Sequence, residues 1–155
     1  MIAKLENEYF NLYNQQKEII GKLKTNLKPN YAENEMFVGE KTFKIIRKGW
    51  EFKIFENEEI VYNLKVNSFF GDITVIELNK KIKGVFSLKW GTQLVDEENN
   101  TLLKIRNENQ LVNKGTYIFE IEDKSVSDFE ILLSLFGHIY GSNLKTKATI
   151  AGTIS

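Results

Sequence analysis

The sequence has no cysteine, a single histidine and no excess of either charge, and each absence removes a class of chemistry. Without cysteine there is no disulfide framework and no thiolate for catalysis or metal binding. A lone histidine, His138, excludes metal sites built from several imidazoles. Because 21 basic side chains balance 21 acidic ones, no overall field attracts nucleic acid, and an anionic partner must be bound locally.

Long hydrophobic runs are missing from the start of the chain. Charged residues are scattered through residues 1–20, a pattern that fits neither a signal peptide nor a transmembrane anchor. We therefore expect a cytoplasmic protein with no transmembrane span. A chain of 155 residues has the size of one ordinary domain.

The first thirty residues are predicted to form an amphipathic helix and a linker, appended to a β-rich domain of residues 31–155. Residues at steps of three and four would form one stripe of that helix: Leu5, Tyr9, Leu12, Gln16, Ile19, Ile20 and Leu23. The following segment, KTNLKPNYAENEM, contains the only proline, Pro29, and is typical of a linker. We interpret the helix as a cover for a sheet edge or face, and a helix that binds a partner or dimerises is the alternative.

From residue 41 to residue 121 the pattern changes to short runs rich in β-branched and aromatic residues, separated by Gly, Asn and acidic turns. Eight strands are predicted, at Thr42–Arg47, Glu51–Glu56, Ile60–Val66, Asp72–Leu78, Val85–Trp90, Thr92–Val95, Thr101–Arg106 and Thr116–Ile121.

Two segments of this region resemble each other. WEFKIFENEEIVYNLKVN begins at Trp50 and WGTQLVDEENNTLLKIRN at Trp90, and each has a tryptophan, an apolar run, an acidic turn and a second apolar run. Each unit is predicted to be a hairpin, and the two hairpins are expected to pack in one sheet or barrel. The likeness favours duplication no more than chance similarity between strands.

The segment SDFEILLSLFGHIYG predicts a helix with almost no polar face. Ser127 and Glu130 fit a capping box, and Gly141 is placed to end a helical body of residues 128–140. Thirteen residues span about 20 Å, too little for the roughly 30 Å hydrocarbon core of a bilayer. A helix that is apolar on all sides needs apolar partners on all sides.

We therefore favour an α+β, β-rich fold in which an antiparallel barrel or strongly curved sheet encloses the hydrophobic C-terminal helix. At about 1.5–3 kcal/mol for each large side chain, a helix with one face exposed would lose several kcal/mol. The alternative keeps the helix on one sheet and covers its back with the N-terminal helix or a second subunit.

This pattern of strand, acidic turn and strand units followed by one apolar helix resembles the tubby-like superfamily, which includes the LURP-one-related proteins and the phospholipid scramblases. The resemblance runs from about Phe37 to Gly141 and is carried by WEFKIFENEEIVYNLKV, WGTQLVDEENNTLLKI and DFEILLSLFGHIYG. It implies an antiparallel barrel around a central helix, and a non-enzymatic domain without a cofactor that interacts with membrane lipid or protein. The strand region is short for the twelve strands that the family implies.

Three lysines are the candidate site for anionic lipid or phosphate. Lys80, Lys81 and Lys83 cluster in NKKIKG, beside a predicted turn, where they would bind phosphates electrostatically. A solvated hairpin end is the simpler interpretation of such a cluster.

Other residue types with chemical potential have structural interpretations that we prefer. Ser134 lies one helical turn before His138, but a buried structural histidine is favoured over a catalytic pair. The acidic run of residues 96–100 lacks the pattern of an EF-hand loop and is favoured as a turn rather than a metal site. Trp50 and Trp90 are expected to be core anchors of their hairpins.

The sequence as a whole favours a non-enzymatic cytoplasmic binding or scaffold domain, acting at membrane lipid headgroups or on a protein partner. The alternative is a carrier of an apolar small molecule in a barrel cavity.

Overall fold

The computed structural model describes residues 1–26, 33–67, 71–84, 91–109 and 115–154, with side chains described as far as residue 142. Within these ranges the chain forms twelve strands, one short 3₁₀ turn and one α-helix. The strands are β1 (Ile2–Glu6), β2 (Tyr9–Tyr13), β3 (Ile19–Lys24), β4 (Glu33–Val38), β5 (Lys41–Lys48), β6 (Glu51–Glu56), β7 (Glu59–Val66), β8 (Ile73–Val75), β9 (Lys80–Lys83), β10 (Thr92–Val95), β11 (Thr101–Asn107) and β12 (Thr116–Ile121). Helix α1 runs from Asp128 to Ile154.

The twelve strands form one closed antiparallel barrel in which neighbours in sequence are neighbours in space. The barrel closes where β1 pairs with β12, in the register Ile2↔Ile118, Ala3↔Tyr117 and Lys4↔Thr116. Closure leaves no edge strand in the barrel.

Helix α1 lies inside this barrel, as predicted. Every residue from Phe129 to Gly141 is buried, including Leu132, Leu135 and Phe136 with no exposed surface. Aromatic rings of the strands contact this buried part of the helix, with centroids 4.8 Å apart for Phe43 and Phe129 and 5.1 Å apart for Phe52 and Phe136. Enclosure is therefore how a helix without a polar face buries all its sides.

The predicted end of this helix is wrong. Gly141 is not among the residues with a positive φ, and α1 continues through it for thirteen more residues to Ile154. The hydroxyl of Ser142 donates to the carbonyl oxygen of His138 at 2.9 Å, one turn back, so the backbone is still helical there. Even at this length, no helix in the described part of the chain has the apolar stretch needed to cross a membrane.

The predicted N-terminal helix is also wrong, because residues 2–24 form strands β1, β2 and β3 of the barrel. Phe10 and Leu12 face the interior at alternate positions, as do Gly21 and Leu23. Left-handed residues, Asn7 at φ 58° and Lys17 at φ 63°, make the turns between the strands. Each strand alternates inward and outward residues, and the turn residues between strands shift that alternation. The apolar residues of the three strands therefore recur at steps of three and four, which is the spacing of one face of a helix.

The segment predicted as a linker overlaps a strand at each of its ends. Its first residue, Lys24, ends β3, and its last four residues begin β4 at Glu33. Pro29 lies outside the described residues. Met36 of β4 is fully buried against the core, so this segment contributes to the barrel.

Most of the strands predicted after residue 40 are present. Three keep the predicted bounds, at Glu51–Glu56, Thr92–Val95 and Thr116–Ile121. Three are longer by one or two residues, and Asp72–Leu78 divides into β8 and the 3₁₀ turn Ile76–Leu78. The two similar segments form the hairpins β6–β7 and β10–β11 as predicted. The strand expected at residues 85–90 lies outside the described residues.

Candidate functional site

The three lysines predicted as a phosphate site lie on β9, which begins directly after the 3₁₀ turn and the left-handed residue Asn79. Successive side chains of a strand point to opposite faces. Lys80 points inward and forms an ion pair with Glu130 of α1, with only 21% of its side chain exposed. Lys81 and Lys83 point outward, and Lys83 donates a hydrogen bond to Asn99. The structure therefore brings together two of the three lysines.

Two further lysines extend the outward pair across neighbouring strands. Lys65 of β7 lies opposite Thr74 of β8, which in turn lies opposite Lys81 of β9. In the same way, Lys83 of β9 lies opposite Gln93 of β10, which lies opposite Lys104 of β11. We call the four outward lysines the basic stripe: Lys65, Lys81, Lys83 and Lys104. Lysines on β7 and β9 are about 10 Å apart, since each strand adds about 4.8 Å. Sequence reasoning missed Lys65 and Lys104 because only the strand pairing places them beside β9.

Acidic groups neutralise part of the basic stripe. Lys104 pairs with Glu122 at 2.7 Å, and Asp72 lies beside Lys81 and Lys83. Burial raises the pKa of the Asp72 carboxyl, while the charges of Lys83 and Lys81 act in the opposite direction. Lys65 and Lys81 are both exposed, and neither has a salt bridge among the described residues. These two are the lysines best placed to bind an added anion.

Ser134 and His138 have different hydrogen-bond partners. The Ser134 hydroxyl is fully buried and donates to the carbonyl oxygen of Glu130 at 2.7 Å. His138 Nδ1 lies 2.7 Å from the hydroxyl of Thr92, and Nε2 lies 2.8 Å from Oδ1 of Asn107. The imidazole thus connects the helix to β10 and β11, which agrees with the structural role preferred from the sequence.

The acidic run at residues 96–100 forms the turn between β10 and β11. The Asp96 carboxylate accepts hydrogen bonds from the backbone amides of Glu98 and Asn100 at 3.0 and 2.8 Å, and from the Asn100 side chain at 2.9 Å. These bonds, with the Asn100 side chain first, lower the pKa of Asp96. The carboxylate therefore organises the turn. Within the described residues, no group of three or more His, Cys, Asp or Glu is arranged to hold a metal ion.

Trp50 is not a core anchor, contrary to the sequence prediction. It lies at the turn between β5 and β6 with 55% of its surface exposed. The guanidinium of Arg47 lies 6.0 Å from the Trp50 ring and 5.7 Å from the ring of Tyr140 in the helix. Trp90 lies outside the described residues. Trp50 therefore extends a cation–π stack at one end of the barrel.

Two clefts on the barrel surface were not predicted from the sequence. The larger, about 630 Å³, runs along β3, and we call it the β3 cleft; it is lined by Tyr9, Ile19, Ile20, Gly21, Lys22, Phe37, Gly39 and Asp128. The smaller, about 460 Å³, lies over β5 and β6 and is lined by Thr42, Lys44, Ile46, Phe55, Asn57 and Glu58. Alternation in β4 and β6 is the signal for them, because it places Phe37 and Phe55 on the outer face.

These features define a class by fold: a closed antiparallel barrel filled by a helix, with the basic stripe and the two clefts on its outer surface. Neither sequence comparison gives a match, since no protein-family model and no curated protein matches the chain. Among solved structures, the X-ray structure of the Arabidopsis thaliana protein AT5G01750 is similar, with a TM-score of 0.58 and 11% sequence identity. The similarity covers 92% of this chain and 88% of that chain. At this identity, the likeness extends to the fold alone.

Proposed function

We propose that this protein is a non-enzymatic, cytoplasmic binding or scaffold domain of tubby-like type, which binds its partner on the outer surface of the barrel. The observation that carries the proposal is the filling of the interior by α1, whose residues from Phe129 to Gly141 are all buried. A partner is then bound by outward-facing side chains. The tubby-like relationship is supported by the arrangement of closed barrel and central helix that the resemblance implies.

The basic stripe supports an anionic membrane lipid as the partner. Its lysines lie on one outer face and belong to three strands of a rigid sheet, so their spacing is fixed. A lysine near an anionic membrane surface contributes about 1 kcal/mol, and the contribution falls as salt screens it. Because the chain has no net charge, the attraction depends on this local cluster.

Charge reversal within the stripe tests the lipid half of the proposal. We expect vesicles containing phosphatidylserine to retain the protein at low salt, and vesicles of phosphatidylcholine alone to retain little. The Lys65→Glu/Lys81→Glu variant is expected to lose affinity for the anionic vesicles at least about tenfold in co-sedimentation.

The matched control is Lys4→Glu/Lys48→Glu, which changes the net charge equally at two exposed lysines outside the stripe. We expect it to bind anionic vesicles much as the unmodified protein does. Equal losses in both variants would indicate a general charge effect, and no retention by anionic vesicles would overturn the lipid half of the proposal.

A carrier of an apolar small molecule is the second candidate function. The β3 cleft, about 630 Å³, has the size of sites that hold small ligands, and this observation favours a carrier that uses the outer surface. Native mass spectrometry of freshly purified protein distinguishes the candidates, because a carrier is expected to show a bound mass.

A further inference from the structure

The β3 cleft combines an apolar surface with a lysine, Lys22, that has no salt bridge among the described residues. Tyr9 from β2 and Phe37 from β4 meet across β3 with ring centroids 6.0 Å apart in an edge-to-face arrangement. Ile19 is 47% exposed at the end of the cleft, although it is a large apolar residue. Exposed apolar surface that lies together in a cleft is characteristic of a binding site.

Lys22 supplies the charge of the cleft. Its ammonium lies 5.9 Å from the centroid of the Tyr9 ring, and the side chain is exposed. Lys24, the next outward residue of β3, is paired with Glu8 at 3.1 Å, whereas Lys22 has no salt bridge among the described residues. The cleft thus presents an exposed ammonium beside aromatic surface.

A carboxylate also lines the cleft. Asp128, the first residue of α1, contributes this carboxylate to the lining that it shares with Lys22. A carboxylate there repels a second anion on the ligand. Gly21 lines the cleft through its backbone, and its missing side chain lets β3 approach the helix on the inner side, since a Cβ there would lie only 2.7 Å from Leu132.

From this geometry we infer that the β3 cleft binds a small amphiphilic monoanion: an aromatic or apolar body with one carboxylate. The body lies on Tyr9, Ile20 and Phe37, and the carboxylate pairs with Lys22. The volume of about 630 Å³ matches a single small molecule. This inference rests on the carrier candidate for the same cleft and names the class of its ligand, and it uses none of the lysines of the basic stripe.

A charge series on one ring system tests the inference. The probes are 2-naphthoate, the neutral 2-naphthamide and the cationic 2-naphthylmethylammonium, each titrated into the protein and followed by amide chemical shifts in NMR. We expect naphthoate to bind most tightly, with the largest shifts at Tyr9, Ile20, Lys22 and Phe37. Phe37→Ala is expected to weaken all three probes.

Charge reversal at Lys22 identifies the anion contact. Lys22→Glu is expected to weaken naphthoate about fivefold and to leave naphthamide nearly unchanged. The matched control is Lys44→Glu, which changes a lysine at the second cleft that is already paired with Glu33 at 3.7 Å. If Lys22→Glu fails to fold, Lys22→Gln removes the charge at the same exposed position.

Three results would each overturn the inference: equal affinity for all three probes, naphthoate shifts centred elsewhere, or naphthoate affinity unaffected by Lys22→Glu or Lys22→Gln. Absence of saturable naphthoate binding would overturn it as well. None of these outcomes affects vesicle binding through Lys65 and Lys81, so the two proposals fail separately.

Discussion

Glu130 has two sets of partners, one at each carboxylate oxygen. Oε1 forms the ion pair with Lys80 of β9, while Oε2 accepts hydrogen bonds from the backbone amide and the hydroxyl of Ser127 at 2.9 and 3.0 Å. The Ser127 hydroxyl in turn accepts a bond from the Glu130 amide at 3.2 Å, which completes the predicted capping box. One residue therefore caps the helix and fixes it to the barrel wall.

Removing the cation of this pair is expected to destabilise the fold. We expect Lys80→Met to lower the free energy of unfolding by about 2 kcal/mol, because Glu130, whose side chain is only 9% exposed, loses its countercharge. The loss is smaller than the roughly 3–5 kcal/mol of a fully buried pair because Lys80 keeps some contact with water. Urea denaturation monitored by circular dichroism measures it.

Lys81→Met is the matched control, since it makes the same substitution one residue later on the outer face. We expect that variant to change stability by no more than about 0.5 kcal/mol. Equal losses in the two variants would show that the ion pair contributes nothing. The three candidate lysines were only partly predictable from the sequence. Their spacing is visible there, but which lysine points inward and which outward depends on recognising residues 80–83 as a strand.

At the scale of the element, α1 was predictable where its chemistry is local. The capping box fixes its start at Asp128, and its apolar surface indicates enclosure. Its end was not predictable from the sequence. Glycine destabilises a helix by only about 1 kcal/mol relative to alanine, and the packing of the helix inside the barrel stabilises it by more than that. Gly141 is buried within the continuous helix, so it does not act as a cap.

Gly137 shows what packing demands of this helix. A Cβ at this position would lie 3.0 and 3.1 Å from two carbons of Ile82 and 3.4 Å from Ile73. We expect Gly137→Ala to lower stability by about 1–2 kcal/mol, although alanine is the better helix former, because overpacking outweighs propensity. Thermal and urea denaturation measure the loss.

Ile82→Val supplies the test of cause, since it removes the carbon that would lie 3.1 Å from the new methyl group. In the double variant we expect part of the loss to be recovered, so that the two effects are not additive. An additive double variant, or a Gly137→Ala protein more stable than the parent, would contradict the packing argument.

At the scale of the whole molecule, the hairpins were more predictable than the closure. The β6–β7 and β10–β11 hairpins are local, and their turns and alternation are visible in short windows of sequence. The first three strands owe their conformation to partners far along the chain, such as Ala3 opposite Tyr117. A short stretch of sequence does not reveal a partner more than a hundred residues away. The prediction for residues 2–24 therefore followed their helical spacing and was wrong.

A disulfide across the seam of the barrel tests closure directly, and the absence of native cysteine makes the result unambiguous. The Leu5 amide donates to the Gly115 carbonyl at 2.8 Å and the Phe119 amide to that of Met1 at 3.2 Å. Lys4 and Thr116 are therefore a non-hydrogen-bonded pair, whose side chains lie closest in an antiparallel ladder. We expect Lys4→Cys/Thr116→Cys to oxidise within one chain and to raise stability by up to about 4 kcal/mol, because it closes a loop of roughly 110 residues.

Intact mass and gel mobility without reductant report the bond, and the shift of Tm on adding reductant reports its stabilisation. The control is Lys4→Cys/Glu120→Cys, whose second cysteine lies on the same outer face of β12 but about 13 Å further along the strand. That distance exceeds the span of a disulfide, so the control is expected to stay reduced or to link different chains. If residues 1–24 were a helix packed outside the barrel, a cysteine at position 4 would have no preference for position 116 over position 120. Equal oxidation of the two variants would therefore contradict the β1–β12 register.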